Sequence, residues 1–124
     1  MKQIGELLQA HEKAGIKSLV SRLSAALGVN LVGVWLFGSK ARGDAGEDSD
    51  VDLLVIVAYL MPPVRWRIRE LAADCSLEYD LLINTHILDS ERWAEHVLYA
   101  STLWREVMRD GVILHEAAVA TPLD

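Results

Sequence analysis

Apolar residues recur at a helical period in the first part of the chain and then fill two short runs. Residues 3–12 and 16–27 predict two helices, because their apolar positions stand three and four apart, and Gly15 divides them. Residues 31–37 (LVGVWLF) and 51–57 (VDLLVIV) are almost entirely apolar. Such short apolar runs predict two strands that are buried on both faces of a sheet.

The remainder of the chain predicts helices that alternate with strands. Val64, Ile68, Leu71 and Cys75 mark one apolar face of a helix, and proline is well tolerated where such a helix starts. The predicted elements are a helix after Pro62-Pro63, a strand over 77–83, a helix from Glu91 to about Arg109 capped by Ser90 and ended by Gly111, and a strand over 112–114.

This order of elements predicts an α+β (mixed α/β) fold, with helices packed on a small mixed β-sheet. The 124 residues allow one core, so we predict a single domain over 1–124. Within it we expect N-terminal helices over 1–28, a sheet core over 30–85, and C-terminal helices with a short strand over 89–115. Hydrophobic residues make up 52% of the chain, which favours a partner protein or a homo-oligomer that covers apolar surface.

Charge and the lack of sorting signals narrow the setting in which the protein works. The net charge of −6 opposes nonspecific binding of nucleic acid. The apolar run at 53–60 is too short to cross a membrane, which takes about 20 residues. Residues 1–6 do not resemble a secretory signal, and the single Cys75 cannot form an internal disulfide. Together these features predict a cytoplasmic protein with no membrane contact.

Two carboxylates, Asp50 and Asp52, stand at the start of the second apolar run. Residues two apart on a strand point to one face, and at about 3.3 Å per residue their stems lie roughly 6.6 Å apart. At an effective dielectric of about 20, their charges repel by about 2.5 kcal/mol. A divalent cation relieves this repulsion, and hard cations prefer carboxylate oxygen. We therefore predict that Asp50 and Asp52 bind a metal ion.

The first apolar run ends at Gly38-Ser39, which is followed by Lys40 and Arg42. Glycine lets a ligand approach the backbone closely. If Ser39 opens a helical turn, its hydroxyl and the free N–H groups can bind a phosphate, and Lys40 or Arg42 can add positive charge. A triphosphate bridged by Mg²⁺ would satisfy both this turn and the two aspartates.

Simpler interpretations of these residues are weaker. An EF-hand calcium loop that starts at Asp48 needs glycine and glutamate where this chain has Leu53 and Tyr59. An ordinary hairpin loop over 43–50 leaves the neighbouring Gly38-Ser39 unexplained. Histidines stand at positions 11, 86, 96 and 115, and because they show no metal-ligand spacing we predict surface or partly buried positions for them.

Gly38-Ser39, ten intervening residues and then Asp50-Val51-Asp52 resemble the GS-x10-D-x-D signature of the nucleotidyltransferase superfamily. Residues 38–43 (GSKARG) and 49–55 (SDVDLLV) are similar in particular to its minimal members, which are short proteins paired with HEPN-type toxins. The resemblance implies the polymerase-beta-like palm fold and one or two Mg²⁺ ions on Asp50 and Asp52. It also implies that Gly38, Ser39, Lys40 and Arg42 surround the phosphates of the nucleotide.

In that family a third carboxylate on a later strand completes the site. Asp80, within Tyr79-Asp80-Leu81, matches the apolar–acid–apolar pattern, and Glu78 on the same predicted strand face is the competing candidate. The resemblance implies that Asp80 binds the metal nearest the incoming hydroxyl and helps to deprotonate it. The hydroxyl would attack the α-phosphate in line, and pyrophosphate would leave.

The resemblance implies transfer of a nucleoside monophosphate, AMP from ATP, to a tyrosine of a HEPN toxin, which makes this chain an antitoxin. An antitoxin that neutralises its toxin by binding alone is the alternative of a different class. A small-molecule or RNA-end acceptor ranks lower, because such enzymes usually carry an additional domain and the acidity of this chain disfavours RNA. The nucleobase, the acceptor and the oligomeric state stay open.

Overall fold

The computed structural model describes residues 8–42 and 50–117. Its helices are α1 (Ala10–Leu27), the single turn α2 (Ser39–Arg42), α3 (Pro62–Tyr79), α4 (Ser90–Leu98) and α5 (Thr102–Asp110). Its strands are β1 (Leu31–Phe37), β2 (Val51–Val57), β3 (Ile83–Asp89) and β4 (Val112–Glu116). Helices packed on a mixed sheet confirm the predicted fold class. Within these residues, no helix is both long enough and apolar enough to span a membrane.

The four-stranded sheet has the order β3-β2-β1-β4. β1 runs antiparallel to β2 and β4, whereas β2 and β3 are parallel. Asp52 therefore pairs with Phe37 at the end of β1 on one side and with Asn84 near the start of β3 on the other. The end of β1 and the starts of β2 and β3 meet at one edge of the sheet.

Both faces of the sheet are covered by apolar side chains, as the two apolar runs predicted. One face of β2, with Leu53 and Val55, packs in a core cluster with residues of α1 and α3. The other face, with Leu54 and Ile56, packs in a second cluster that contains Val107 of α5. Asp52 shares the second face, because side chains alternate along a strand.

α1 is one continuous helix, so the prediction of two helices divided by Gly15 is wrong. Gly15 is buried in α1 where the helix passes the end of α3. A Cβ atom at this position would lie 2.8 Å from Leu81 Cδ2 and 2.9 Å from Tyr79 Cβ. Glycine thus allows two elements to pack closely instead of ending the helix. The helix begins at Ala10, so residues 8 and 9 of the predicted helix 3–12 are not helical, while residues 3–7 lie outside the described part.

Gly15→Ala is expected to destabilise the protein by about 1–3 kcal/mol, the usual cost of an added methyl group in a packed core. The sign of the change in unfolding free energy is informative, because replacing glycine by alanine at an exposed helical position would stabilise the protein by up to about 1 kcal/mol. Urea denaturation of the variant measures the change, and Ser21→Ala at an exposed position of α1 is the control. A more stable Gly15→Ala protein would contradict this packing.

The third strand lies after the predicted segment 77–83, and that prediction is wrong. α3 continues to Tyr79, and Asp80 ends it in the left-handed conformation (φ 54°). The observed strand, β3, is an edge strand with the mixed sequence INTHILD. Edge strands need less apolar character than central ones, so the apolar run after Asp80 was misleading. The sheet core consequently extends to Asp89 instead of residue 85.

Two helices replace the single one predicted to reach Arg109. The helical conformation is interrupted at Ala100, which has a positive φ of 47°. Ser101 then caps α5 by accepting a hydrogen bond from the Trp104 N–H. Asp89, and not Ser90, caps α4, since its Oδ1 accepts from the Arg92 N–H at 2.7 Å. The end of α5 at Gly111 and the final strand are confirmed.

Candidate active site

Gly38 lies against the carboxylate of Asp52. Its φ of +80° is a left-handed conformation that favours glycine, and a Cβ atom would stand 2.5 Å from Asp52 Oδ2. A side chain at this position would strain the backbone and displace the carboxylate of Asp52 from the end of β1. The turn that the sequence predicts to bind phosphate and one of the predicted metal ligands are therefore in direct contact.

The turn after Gly38 is helical, as the sequence suggested. Arg42 N–H donates to the Gly38 carbonyl at 3.1 Å, and the buried Ala41 packs in the core cluster beneath β1 and β2. The first N–H groups of a helical turn have no partners within the helix, and they are suited to bind an anion. Gly38 and Ser39 thus stay our predicted phosphate contacts.

Lys40 faces the interior of the protein, against the prediction that it contacts phosphate. Its side chain is 5% exposed, and its Nζ lies 2.7 Å from Oε2 of Glu12 in α1. The other carboxylate oxygen of Glu12 accepts from the Gln9 N–H at 3.0 Å. The ammonium is therefore paired with a carboxylate inside the protein, and this ion pair connects the turn to α1.

Arg42 extends from the same turn toward the end of α5. Its Nη1 lies 3.6 Å from Oδ2 of Asp110, and its side chain is 37% exposed. Arg109 also donates to this oxygen from Nε and Nη2, at 2.9 and 2.8 Å. Asp110 thus joins two arginines beside the turn, and the phosphate contact of Arg42 stays a prediction.

The Asp110 carboxylate is expected to contribute to acid sensitivity. Its hydrogen bonds with Arg109, and then the charges of Arg109 and Arg42, hold its pKa below the ordinary value of an aspartate. A carboxyl with a lowered pKa in the folded state stabilises the protein above its unfolded pKa, and this contribution disappears as the pH falls through the folded pKa. Asp110→Asn should therefore flatten the loss of unfolding free energy at acidic pH. Denaturation over a pH series measures this, and Asp74→Asn, at an exposed position of α3, should leave the slope unchanged.

Two side chains of β3 that sequence reasoning missed contact Asp52. Asn84 Nδ2 donates to Asp52 Oδ1 at 3.1 Å, and His86 Nε2 lies 3.4 Å from the same oxygen. The ring of Phe37 packs edge-on against the imidazole, with centroids 5.0 Å apart. Half-buried His86 agrees with the predicted surface or partly buried position, but its place at this site depends on the strand register. The available signal was the alternation of Asn84 and His86 with Ile83, Thr85 and Ile87, three β-branched residues that favour a strand.

The predicted third carboxylates do not lie on this strand. Asp80 is exposed at the end of α3, and Glu78 forms an exposed ion pair with Arg22, whose hydrogen bonds lower the pKa of the glutamate. In residues 8–42 and 50–117, no three Asp, Glu, His or Cys side chains stand close enough together to hold a metal by themselves. The role of Asp80 stays a sequence prediction that this geometry does not support.

For the nucleotide transfer that the family resemblance implies, Asp80→Asn is expected to change the rate by less than about threefold, since its side chain is exposed at the end of a helix. The substitution suits a left-handed residue, because asparagine tolerates this conformation well, so the fold should persist. Initial transfer rates under saturating ATP provide the measurement. A loss of a hundredfold or more, on the order of that for an essential catalytic group, would instead support the sequence-based assignment of Asp80.

The remaining donors fit a divalent cation that is shared with phosphate. Asp52 is 26% exposed, and exposed Asp50 directly precedes β2 at the same edge. Mg²⁺ is commonly held by one or two carboxylates together with substrate phosphates and water. Because the Gly38 turn touches Asp52, phosphates bound at the turn would supply the ligands that the protein itself lacks here.

The segment that is similar to known proteins includes Gly38, Asp52 and His86. The model of a family described as nucleotidyltransferase domain matches residues 16–97. The "Putative protein adenylyltransferase MJ0141" of Methanocaldococcus jannaschii is 44% identical over 71 residues, which are 56% of this chain and 71% of that protein. A toxin–antitoxin crystal structure with AMP-PNP is 25% identical, with a TM-score of 0.54 over 82% of this chain and 73% of that chain. The fold is shared with a complex of tri-AMPylated Shewanella oneidensis HEPN toxin and MNT antitoxin (24% identity, TM-score 0.50, 86% of this chain and 73% of that chain).

Proposed function

The chain belongs to the nucleotidyltransferase domain family, and we propose that it transfers AMP from ATP, in a Mg²⁺-dependent reaction, to a hydroxyl group of a partner protein. One observation carries the proposal: the Asp52 carboxylate lies against the Gly38 turn, where a Cβ would approach it to 2.5 Å. A carboxylate in contact with a turn whose first N–H groups can bind an anion suits a metal-bound triphosphate. The AMP moiety is supported by the protein adenylyltransferase name of the relative from M. jannaschii.

In this proposal the protein supplies position and charge. Asp50 and Asp52 hold the cation, which when bound offsets the negative charge of the triphosphate. Ser39 and the N–H groups after Gly38 bind the outer phosphates, which leaves the α-phosphate facing the acceptor. The acceptor oxygen then forms its bond to the α-phosphorus as the bond to pyrophosphate breaks. Pyrophosphate leaves with that electron pair, the hydroxyl proton passes to solvent, and the aligned geometry lowers the entropic part of the barrier.

We propose a tyrosine on a HEPN-type toxin as the acceptor, with this chain as the antitoxin. The support comes from two of the structural relatives, which are toxin–antitoxin structures, one of them with an AMPylated toxin. The surface of this chain also suits a protein partner, because many large apolar side chains are exposed. They include Tyr59, Met61, Trp66, Leu98 and Tyr99.

Incubation with the HEPN-type partner, ATP and Mg²⁺ tests the proposal. Intact-protein mass spectrometry should show the partner gaining the mass of one or more AMP groups, and a Tyr→Phe change at the modified position should abolish the gain. Asp52→Asn serves as the inactive control. A partner that forms the complex but gains no nucleotide with any divalent ion would exclude the enzymatic proposal.

One observation favours a second candidate, an antitoxin that acts by binding alone. Along β3, the strand beside Asp52, the side chains that contact Asp52 are Asn84 and His86, and the one carboxylate of this strand, Asp89, caps α4 at the far end. A folded Asp50→Asn/Asp52→Asn variant that still protects cells from the toxin would show that binding suffices. Loss of protection with the complex intact would favour the enzyme.

A further inference from the structure

His86 occupies a defined position at the site. The parallel register places His86 opposite Leu54 and Asn84 opposite Asp52, so both β3 side chains share the face that carries Asp52. The imidazole is half-buried, and the edge-on ring of Phe37 packs against it. Its Nε2 lies 3.4 Å from Asp52 Oδ1, and the Asn84 amide lies 3.3 Å from the same nitrogen. Protein contacts therefore direct this nitrogen toward the predicted metal ligand.

Two of the three acidic residues in β3 and at the end of α3 are engaged elsewhere. Within β3 the only acid is Asp89, at the far end of the strand, and it caps α4. Glu78 is paired with Arg22, and Asp80 lies at the end of α3. On the strand beside Asp52, an imidazole nitrogen thus stands where a further carboxylate oxygen would otherwise complete a metal site.

We propose that His86 is a direct ligand of the cation that Asp52 binds, and that the site consequently prefers a first-row transition ion such as Mn²⁺ or Co²⁺ to Mg²⁺. The inference rests on the proposed function, because it concerns the cation of the same reaction. Two atoms about 2.1 Å from one ion lie roughly 3.0 to 3.4 Å apart at octahedral or tetrahedral angles, which agrees with the observed 3.4 Å. Imidazole binds transition ions well, whereas Mg²⁺ prefers oxygen ligands.

Pulsed EPR of Mn²⁺ bound to the full chain tests the coordination directly. The protein is loaded with Mn²⁺ and the ATP analogue AMP-CPP, whose methylene bridge prevents transfer. Wild type should show hyperfine coupling to a histidine nitrogen, and ¹⁵N-histidine labelling should change its pattern. His86→Asn should lose this coupling and bind Mn²⁺ about tenfold more weakly or worse. His115→Asn, on β4, should retain both and is the matched control.

His86→Asp provides the complementary measurement, because an oxygen ligand should reverse the preference toward Mg²⁺ in competition titrations against Mn²⁺. Circular dichroism checks that both His86 variants are folded. Bound Mn²⁺ without nitrogen coupling, the same coupling in His86→Asn, or no Mn²⁺ binding would each overturn the inference. Transfer that proceeds normally alongside those results leaves the proposed function standing. If nitrogen coupling from His86 is observed but no AMP is transferred to the partner, the inference on His86 stands and the proposed function fails.

Discussion

Asp52→Asn is expected to reduce the rate of AMP transfer by about a thousandfold or more. A bound divalent ion contributes several kcal/mol of charge stabilisation in the transition state, and each 1.4 kcal/mol corresponds to about a factor of ten in rate. The substitution keeps the shape of the side chain but removes the charge that we propose binds the cation. It also keeps an oxygen that can accept from Asn84, so the local strand contacts should persist.

The rate is measured from the accumulation of AMP on the partner under saturating ATP, with metal affinity measured in parallel. Asp74→Asn makes the same chemical change at an exposed position of α3 and should retain the wild-type rate. Both variants should unfold within about 1 kcal/mol of wild type, since each changes one partly exposed group. An Asp52→Asn protein with more than about a tenth of wild-type activity would remove Asp52 from the catalytic site.

The centre of the sheet and the contact of Gly38 with Asp52 could be predicted from the sequence, because they depend on local information. A short, almost fully apolar run has few alternatives to a buried strand. Gly38 directly follows the first such run and Asp52 lies at the start of the second, so a turn between the two strands places them side by side. The family resemblance then added the likeness to nucleotidyltransferases, which the matched family model confirms.

The missed parts of the site depend on contacts between distant segments. His86 reaches Asp52 only through the parallel register of β2 and β3, which the mixed sequence of this edge strand does not reveal. Lys40 lies in the turn that the sequence predicts to bind phosphate, but a glutamate in α1 determines where its ammonium lies. Gly15 illustrates the same limit, because Tyr79 and Leu81, which require its small size, belong to another part of the chain.

Lys40→Met is expected to lower the free energy of unfolding by about 3–5 kcal/mol, a large fraction of the stability of a small domain. The ion pair of Lys40 with Glu12 is almost fully buried, with side chains 5% and 4% exposed. Removal of the lysine leaves the carboxylate of Glu12 inside the protein without its counter-charge, and this desolvation cost dominates. Glu12→Gln, a milder change, should destabilise less and keeps the test informative if Lys40→Met does not fold.

The exposed pair of Arg22 and Glu78 is the matched comparison. It also joins distant segments, and its N–O distance of 2.7 Å equals that of the buried pair, but its side chains are 33% and 50% exposed. Arg22→Met should therefore destabilise the protein far less than Lys40→Met, because solvent screens both charges. The double variant Glu12→Leu/Lys40→Met should recover much of the loss from either single change, since it leaves no unpaired charge.

Measurements on the same variants show whether Lys40 stabilises the turn 39–42 or binds the nucleotide. If Lys40 stabilises the turn through its ion pair with Glu12, weakening that pair should leave the turn less ordered. A folded Glu12→Gln variant should then bind ATP more weakly, although the substituted residue lies in α1 and not in the turn. Urea denaturation and ATP titration of Glu12→Gln would then change together. If Lys40→Met instead costs no more stability than Arg22→Met but abolishes ATP binding, the ammonium is available to the nucleotide, as the sequence pattern first suggested.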